Sequence, residues 1–540
     1  MWWHTATMAG ISLAFGGLLS NLEVYLIEEF NIKSISAAKI FNMVNGLVSI
    51  LPIGAAILAD SFLGCYSVIW FSSLISSLGM LLITLTAAFS KLRPPPCQST
   101  GSNNLCTDPT RLQLGVLYLS LALAVLGMSG NRFTLAPMGA YQFDKPKHQG
   151  IFFNWYIFVI YTCLIISTTA IVYVQNNVSW AWGFGISTAA NALGLLLFVL
   201  GTRFYRQLKP QGSPFARLAR VVIAAIRNRG VKLSKNPEDY CQDIETKTPT
   251  LPTKFFRVLN RAAIKSTQGD VANHEITGSV RKSWKFCAVT EVEDFKNLIK
   301  LLPLWTSALL VSVPLAIQMS MGILQALTMD RHLGHNFQIP AASVAVFLSI
   351  STCITVCFTD RVLMPVWSKF APRPMTPLQR IGIGHLVDVL SMAALALVEV
   401  RRLKIARSHN LQDQVNAVVP MSIFWLVPSL ALAGMGEAFH FPGHIAFYYQ
   451  EFPMYLKSTS TAVVSLSIGI AFYMGNALID AIRRSTDWLP DNINKGRLDN
   501  VFWVITILGG VNFCYFLVCA SLYKYKTVEN VVDDDSVNKA

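Results

Sequence analysis

Twelve runs of about 20 apolar residues, each the length of one membrane-spanning helix, constrain this chain more than any other feature. They lie at 3–27, 37–59, 66–90, 112–138, 151–174, 180–202, 297–320, 340–359, 378–400, 421–442, 460–482 and 500–523. In lipid, a spanning segment has to satisfy its own backbone polar groups, so such a chain folds as a bundle of helices. Composition agrees. The 540 residues are 53% hydrophobic and only 14% charged, against about 25% charged in an ordinary soluble domain, and mean hydropathy is +0.45. No soluble enzyme domain of useful size can be cut from it. The first run is too long for the apolar core of a leader and has no small-residue cleavage site, so it reads as the first spanning helix.

One polar segment divides the runs into two sets of six. This gives an N-terminal bundle (1–202), a basic central loop (203–296), a C-terminal bundle (297–523) and a tail (524–540). The central loop holds 18 Lys and Arg against 9 Asp and Glu, and supplies most of the net charge of +14. With so little chain outside the bilayer, that charge points to topology and anionic headgroups, not to nucleic acid. Positive-inside logic places the loop, and with it both termini, in the cytosol of a multi-pass membrane protein. Arg401, Arg402, Lys404 and Arg407 fall on the external side and run against the rule. Asn177-Val178-Ser179 is an external sequon too close to two helix ends to be used. The central loop is rich in Ser, Thr and Lys and is a candidate kinase target. Ten cysteines show no metal-ligand spacing. Cys353 and Cys357 read as packing residues, whereas Cys97 and Cys106 share one polar loop and form a disulfide if that loop is extracellular. No cofactor is expected, and no nucleophile–base constellation suggests an enzyme.

Within this frame Arg132 stands out, in Ser129-Gly130-Asn131-Arg132-Phe133-Thr134, with uncharged sequence from Leu112 to Met128 and from Phe133 to Phe143. An arginine at the centre of a spanning helix costs about 2.5–3.5 kcal/mol, so it faces a bundle interior or a wet cavity. One reading is a fixed positive charge holding an anion in a transport path. The other is a side chain that snorkels to the interface or pairs with a neighbouring carboxylate.

The two sets of six also share a signature. Leu58-Ala59-Asp60-Ser61-Phe62-Leu63-Gly64 follows the second run, and Phe358-Thr359-Asp360-Arg361-Val362-Leu363 follows the eighth. Parallel repeats of this kind rock about a midplane site in major facilitator transporters. Asp60, Gly64, Asp360 and Arg361 then brace a cytosolic gate.

Further motifs give the chain a family likeness. They are Asn21-Leu22…Tyr25-Leu26, Gly139-Ala140-Tyr141-Gln142-Phe143-Asp144, Phe152-Phe153-Asn154-Trp155-Tyr156, Leu302-Pro303-Leu304-Trp305, Met329-Asp330-Arg331, Ile339-Pro340-Ala341-Ala342-Ser343, Leu378–Gly384 and Asn494-Lys495-Gly496-Arg497-Leu498. The sequence resembles the plant nitrate transporter 1/peptide transporter family, in the proton-dependent oligopeptide transporter branch of the major facilitators. The resemblance implies an all-α membrane protein with the major facilitator fold and twelve transmembrane helices in two six-helix bundles. Proton-coupled members carry Glu-x-x-Glu-Arg on the first helix; the aligned positions here are Met8, Ile11 and Ser12. Arg132 stands where the family usually has lysine, and Tyr141 replaces an acid. Leu315 replaces the histidine of some nitrate-binding members, and Glu437 of the tenth helix is kept. Members usually carry some tens of residues before the first helix; this sequence begins almost at it. Loss of the first-helix motif together with Arg132 is similar to the nitrate excretion subgroup, which exports nitrate and in some members chloride.

Elementary electrostatics leads to the same expectation. One charge crossing 100 mV changes free energy by about 2.3 kcal/mol, so a negative cell interior drives an anion outward without coupling. Uptake would need a protonatable carboxylate in the site, and Met8, Ile11 and Ser12 are not one. Arginine's planar fork suits nitrate, and chloride takes only point contacts. Glu437 pairs with Arg132 in the empty site, carries a proton by itself, or is structural. His440 and His444 share its helix face and either bond the anion or pack. Asp388 is a substitute proton site or a buried polar contact, and Tyr156 and Trp155 line the cavity or anchor at the interface. The alternatives to small-anion efflux are a proton-coupled importer of a larger organic anion or peptide-like substrate and a non-transporting sensor or regulator.

Overall fold

The computed structural model describes residues 2–96, 98–100, 103–105, 107–140, 142, 156, 158–206, 214–242, 251–265, 284–334, 337–370, 375–414, 417–453 and 457–525. Among them eleven helices are long and apolar enough to cross a membrane, and a bent pair makes a twelfth span. That pair is α1 (Trp2–Leu19) and α2 (Leu22–Glu28), inclined at 40°. At the bend Asn21 turns its carboxamide to Gln175, 3.1 Å away, and to Asn176. The first half continues with α3 (Ser34–Leu58), α4 (Gly64–Ala88), α5 (Arg111–Ala140), α6 (158–177) and α7 (Trp180–Leu200). After α8 (Pro214–Arg227) and α9 (Val289–Lys300), the second half has α10 (Leu302–Leu327), α11 (Val346–Phe358), α12 (Met364–Phe370), α13 (Pro377–Ser408), α14 (Val427–Glu451), α15 (Lys457–Ser485) and α16 (Leu498–Leu522).

Apolar faces cannot drive helix association in lipid, so backbones approach through small residues instead. A Cβ on Gly79 of α4 would come within 2.2 Å of the Ala124 nitrogen of α5, and one on Gly130 within 1.8 Å of the Ser72 hydroxyl. Asn131 accepts a hydrogen bond from Ser73 at 3.2 Å. Gly130 and Asn131, next to Arg132 in sequence, thus fasten α5 to α4.

The two halves repeat one local irregularity. α3 leaves through a wide helical turn, Ala59–Leu63, and α11 through its counterpart, Thr359–Leu363. Gly64 ends the first at φ 76°, a left-handed value that favours glycine. Asp360 and Arg361 are exposed, and the Asp60 side chain lies outside the described residues.

α13 runs past the apolar stretch to Ser408, and its charges are held where they fall. Arg402 is fully buried: Nε and Nη2 donate to Glu399 at 2.7 and 2.6 Å, and Nη1 donates to the Thr328 hydroxyl at 2.9 Å and to Asn494. Arg401 lies 3.9 Å from the Trp425 ring centroid. Two of the four cations that oppose the positive-inside rule are therefore neutralised or stacked within the protein. In the sequon, Asn177 ends α6 and the Ser179 hydroxyl caps α7 by accepting from the Ala181 nitrogen.

At the same end the halves are joined. Lys39 of α3 pairs with Asp480 of α15 at 2.6 Å, and Lys33 with Asp491 at 3.3 Å. Asn42 donates to Asn476 at 3.0 Å, Asn476 donates to the Lys39 carbonyl at 2.9 Å, and Tyr173 stacks on Phe337. These contacts form a latch between the halves.

Between the halves a small lobe has its own core of Val221, Ala224, Tyr240, Ala263, Cys287 and Val292. Arg220 is buried there against Glu291 at 3.1 Å. Burial, helped by the Glu291 carboxylate, pushes the Cys287 thiol up to about 12. Only Leu301 separates α9 from α10. In the loop after α4, a hairpin pairs Gln98 with Leu105; Cys97 and Cys106, beside it in sequence, lie outside the described residues.

Candidate functional site

A cavity of about 450 Å³ lies between the halves. Its wall comes from α1, α3, α5 and α6 on one side and from α10, α11, α13, α14 and α15 on the other. Met8, Ile11 and Ser12 all line it, and so does Leu315. The positions where charged residues were expected and not found are thus wall positions. Most of the wall is apolar; its polar groups include Asn45, Asn131, Tyr156, Tyr161, Gln318 and Glu437, with several Ser and Thr hydroxyls. Among the described residues, Glu437 is the charged group of this wall. It sits half-buried on α14, with Thr352 of α11 beside its carboxylate.

Arg132 belongs to the helical part of α5, and its side chain is outside the described residues. Its register is informative. Met128, Asn131 and Leu135 line the cavity, and position 132 shares their face, four residues after Met128 and three before Leu135. Trp155 also lies outside the described residues, whereas Tyr156 is on the wall.

His440, His444 and Asp388 are brought together, but behind the wall. His440 Nε2 is 3.3 Å from an Asp388 carboxylate oxygen, and the His440 and His444 rings are 5.8 Å apart. His385 of α13 lies 6.3 Å from His444 and packs on Phe516 at 4.6 Å. All three histidines are buried. The packing requires glycine at two places: a Cβ on Gly436 would come within 1.9 Å of Asp388, and one on Gly384 within 2.7 Å of the His440 Cβ. Sequence reading missed His385, because nothing local shows that it meets the histidines of α14. It also missed Glu23 of α2, which is fully buried with neither carboxylate oxygen hydrogen-bonded. A single acid in a polar-looking helix end gave no signal. Among the described residues no cluster of His, Cys, Asp and Glu is arranged to hold a metal ion.

Comparison with known proteins gives the family. The POT family profile matches residues 66–495. The chain belongs to the POT family. Among plant relatives, "Protein NRT1/PTR FAMILY 2.7" of Arabidopsis thaliana is 49% identical over 98% of this chain and 92% of its own length. "Protein NRT1/PTR FAMILY 3.1" of the same plant is 35% identical over 96% and 89%. Among solved structures, an auto-inhibited POT family peptide transporter superposes with a TM-score of 0.68 at 16% identity, covering 97% of this chain and 96% of that one. A peptide transporter POT in complex with sulfate gives 0.64 at 15%, covering 96% and 93%. This POT family member is therefore a multi-pass membrane transporter of the NRT1/PTR branch with the major facilitator fold.

Proposed function

We propose that the protein carries a small inorganic anion, nitrate first and chloride second, out of the cell by alternating access, driven by the membrane potential without obligatory proton coupling. The observation that carries this reading is that Met8, Ile11 and Ser12 stand on the cavity wall, so α1 offers no carboxylate to take up a proton with the substrate. Arg132, on the cavity face of α5, supplies the positive charge that binds the anion; Glu437 answers it when the site is empty. Tyr156 and Tyr161 add hydroxyl donors. The basic lobe and both termini are assigned to the cytosol of the plasma membrane. The latched end is then external, and the cavity serves the cytosolic side. The central segment is the part exposed to kinases, and Cys97 and Cys106 form a disulfide on the external side. Asp60, Gly64, Asp360 and Arg361 shape the cytosolic turns that move when the halves rock.

The test is anion current under voltage clamp, with nitrate or chloride inside, at two external pH values. A nitrate current independent of external pH, reversing at the nitrate equilibrium potential and lost in Arg132→Ala, is expected. A reversal potential that follows the proton gradient would overturn the uncoupled reading, and absence of any anion current in protein at the surface would favour a regulatory role.

A second reading has one observation in its favour. A largely apolar cavity of about 450 Å³ is of the size that holds drug-sized molecules, which suits a larger organic anion. Competition of nitrate current by organic anions of increasing size separates the two.

A further inference from the structure

Along α14, Glu437, His440, His444, Tyr448 and Glu451 follow one another at intervals of three and four residues, which places them on a single helix face. All but Glu437 are buried. The stripe spans about 21 Å at 1.5 Å per residue, from the cavity wall to the unlatched end of the helix. Several of its members are neighbours in space. Tyr523 donates to Glu451 at 2.7 Å, the Tyr448 and His444 rings stack at 5.9 Å, the His444 and His440 rings are 5.8 Å apart, and His440 reaches Asp388 at 3.3 Å.

The charge of Glu437, in turn, bears on Asp388. Other charged or titratable groups surround the stripe. Arg380 and His385 of α13 face it, Arg380 donating to the Ala438 carbonyl at 3.2 Å and lying near Asp360. Tyr161 faces Glu437 from α6 and Cys353 lies on α11 nearby.

Packing alone does not account for this arrangement. Both ring nitrogens of His385, Nδ1 of His440 and the Tyr448 hydroxyl have no hydrogen-bond partner. Leaving such a group buried and unpaired is costly, and an apolar stripe of the same shape would avoid that cost. Sites of this kind hold water, which needs two to four polar partners, and imidazoles can take a proton on one nitrogen while releasing one from the other.

We propose that the stripe is a proton path between the cytosolic surface and the Glu437 carboxylate, running inside the C-terminal half and separate from the path of the anion. A proton arriving at Glu451 passes by way of Tyr448, His444, His440 and Asp388 to Glu437. Each group gains one proton and gives one up, so one proton moves in net, and the imidazole tautomers and the hydroxyl orientation must reset before the next. Every member lies on α13 or α14, so the path survives when the halves rock against one another. Glu437 stays in contact with cytosolic protons whichever way the cavity faces, and its neutralisation removes the negative charge that opposes an anion on the wall. When the cavity faces outward, the same connection lets protons cross by themselves.

The proposal rests on Glu437 facing the anion site, and its first test needs no transported anion. Proteoliposomes loaded with a pH dye, with impermeant organic anions on both sides, are given a potassium diffusion potential. Proton entry well above that of protein-free vesicles is expected, with at least a severalfold loss in Glu437→Gln and in His444→Phe. Tyr448→Phe, which removes one hydroxyl, serves as a second probe should His444→Phe fail to fold. Proton flux equal to that of empty vesicles, or undiminished in variants that fold, overturns the path. In inside-out patches the anion current is expected to rise as cytosolic pH falls, by up to about tenfold per unit for a one-proton step, and to lose that response in His444→Phe. Lack of any anion current counts against the proposed function and leaves the proton measurement standing.

Discussion

Replacing Asn476 by alanine is expected to open the latch. Asn476 accepts from Asn42 and donates to the Lys39 carbonyl, so the substitution removes two hydrogen bonds between α3 and α15, each contributing about 1 kcal/mol. It also leaves the Asn42 amide without its partner in a fully buried position where Oδ1 is already unpaired, a further cost of about 1–3 kcal/mol. The Lys39–Asp480 pair is about one-third exposed on each side and adds little in comparison. The total, at least about 3 kcal/mol, acts on the latched state alone, because water hydrates both side chains once the halves part. A shift of that size changes the ratio of latched to open protein by about two orders of magnitude. Spin labels at Asp108 and Asp413, exposed positions of the two halves, report the change as a second, longer distance in pulsed electron resonance. An unchanged distance distribution in a variant that folds and reaches the membrane refutes the reasoning.

Other expectations follow from buried charge and burial. Glu399→Gln leaves Arg402 charged without a counter-charge and is expected to cost about 3–5 kcal/mol; thermal unfolding in detergent measures it. Because burial raises the Cys287 thiol to about 12, little thiolate exists at neutral pH, and maleimide is expected to modify it only after unfolding, as read by peptide mass. Gly436→Ala drives a methyl group into Asp388 and is expected to lower thermal stability, with Asp388→Ala in the same chain restoring part of it. Peptide mapping without reductant is expected to find Cys97 linked to Cys106.

The spans were legible because a run of 20 apolar residues has few alternatives to a transmembrane helix. Their ends were less so. The continuation of α13 to Ser408 depends on Glu399, Thr328 and Asn494 gathering around Arg402, and those partners come from three separate stretches of chain. The bend after α1 was hidden for the same reason, since Asn21 bonds to residues of α6. Within the site, the replacement of the first-helix motif by Met8, Ile11 and Ser12 followed from motif register. The grouping of His385 with His440 and His444 did not, because it arises where α13 and α14 cross at Gly384 and Gly436, and periodicity within one helix says nothing about which neighbour it crosses.

The single residue between α9 and α10 gives the lobe a mechanical meaning. α9, with twelve residues, is an arm about 18 Å long attached to the first helix of the second half. A tilt of about 20° in α10, an ordinary helix inclination in a membrane, would carry the far end of that arm through about 6 Å. The lobe core moves with it, as a needle moves with its spindle. A label placed on the lobe therefore reads the state of the buried cavity from outside the membrane.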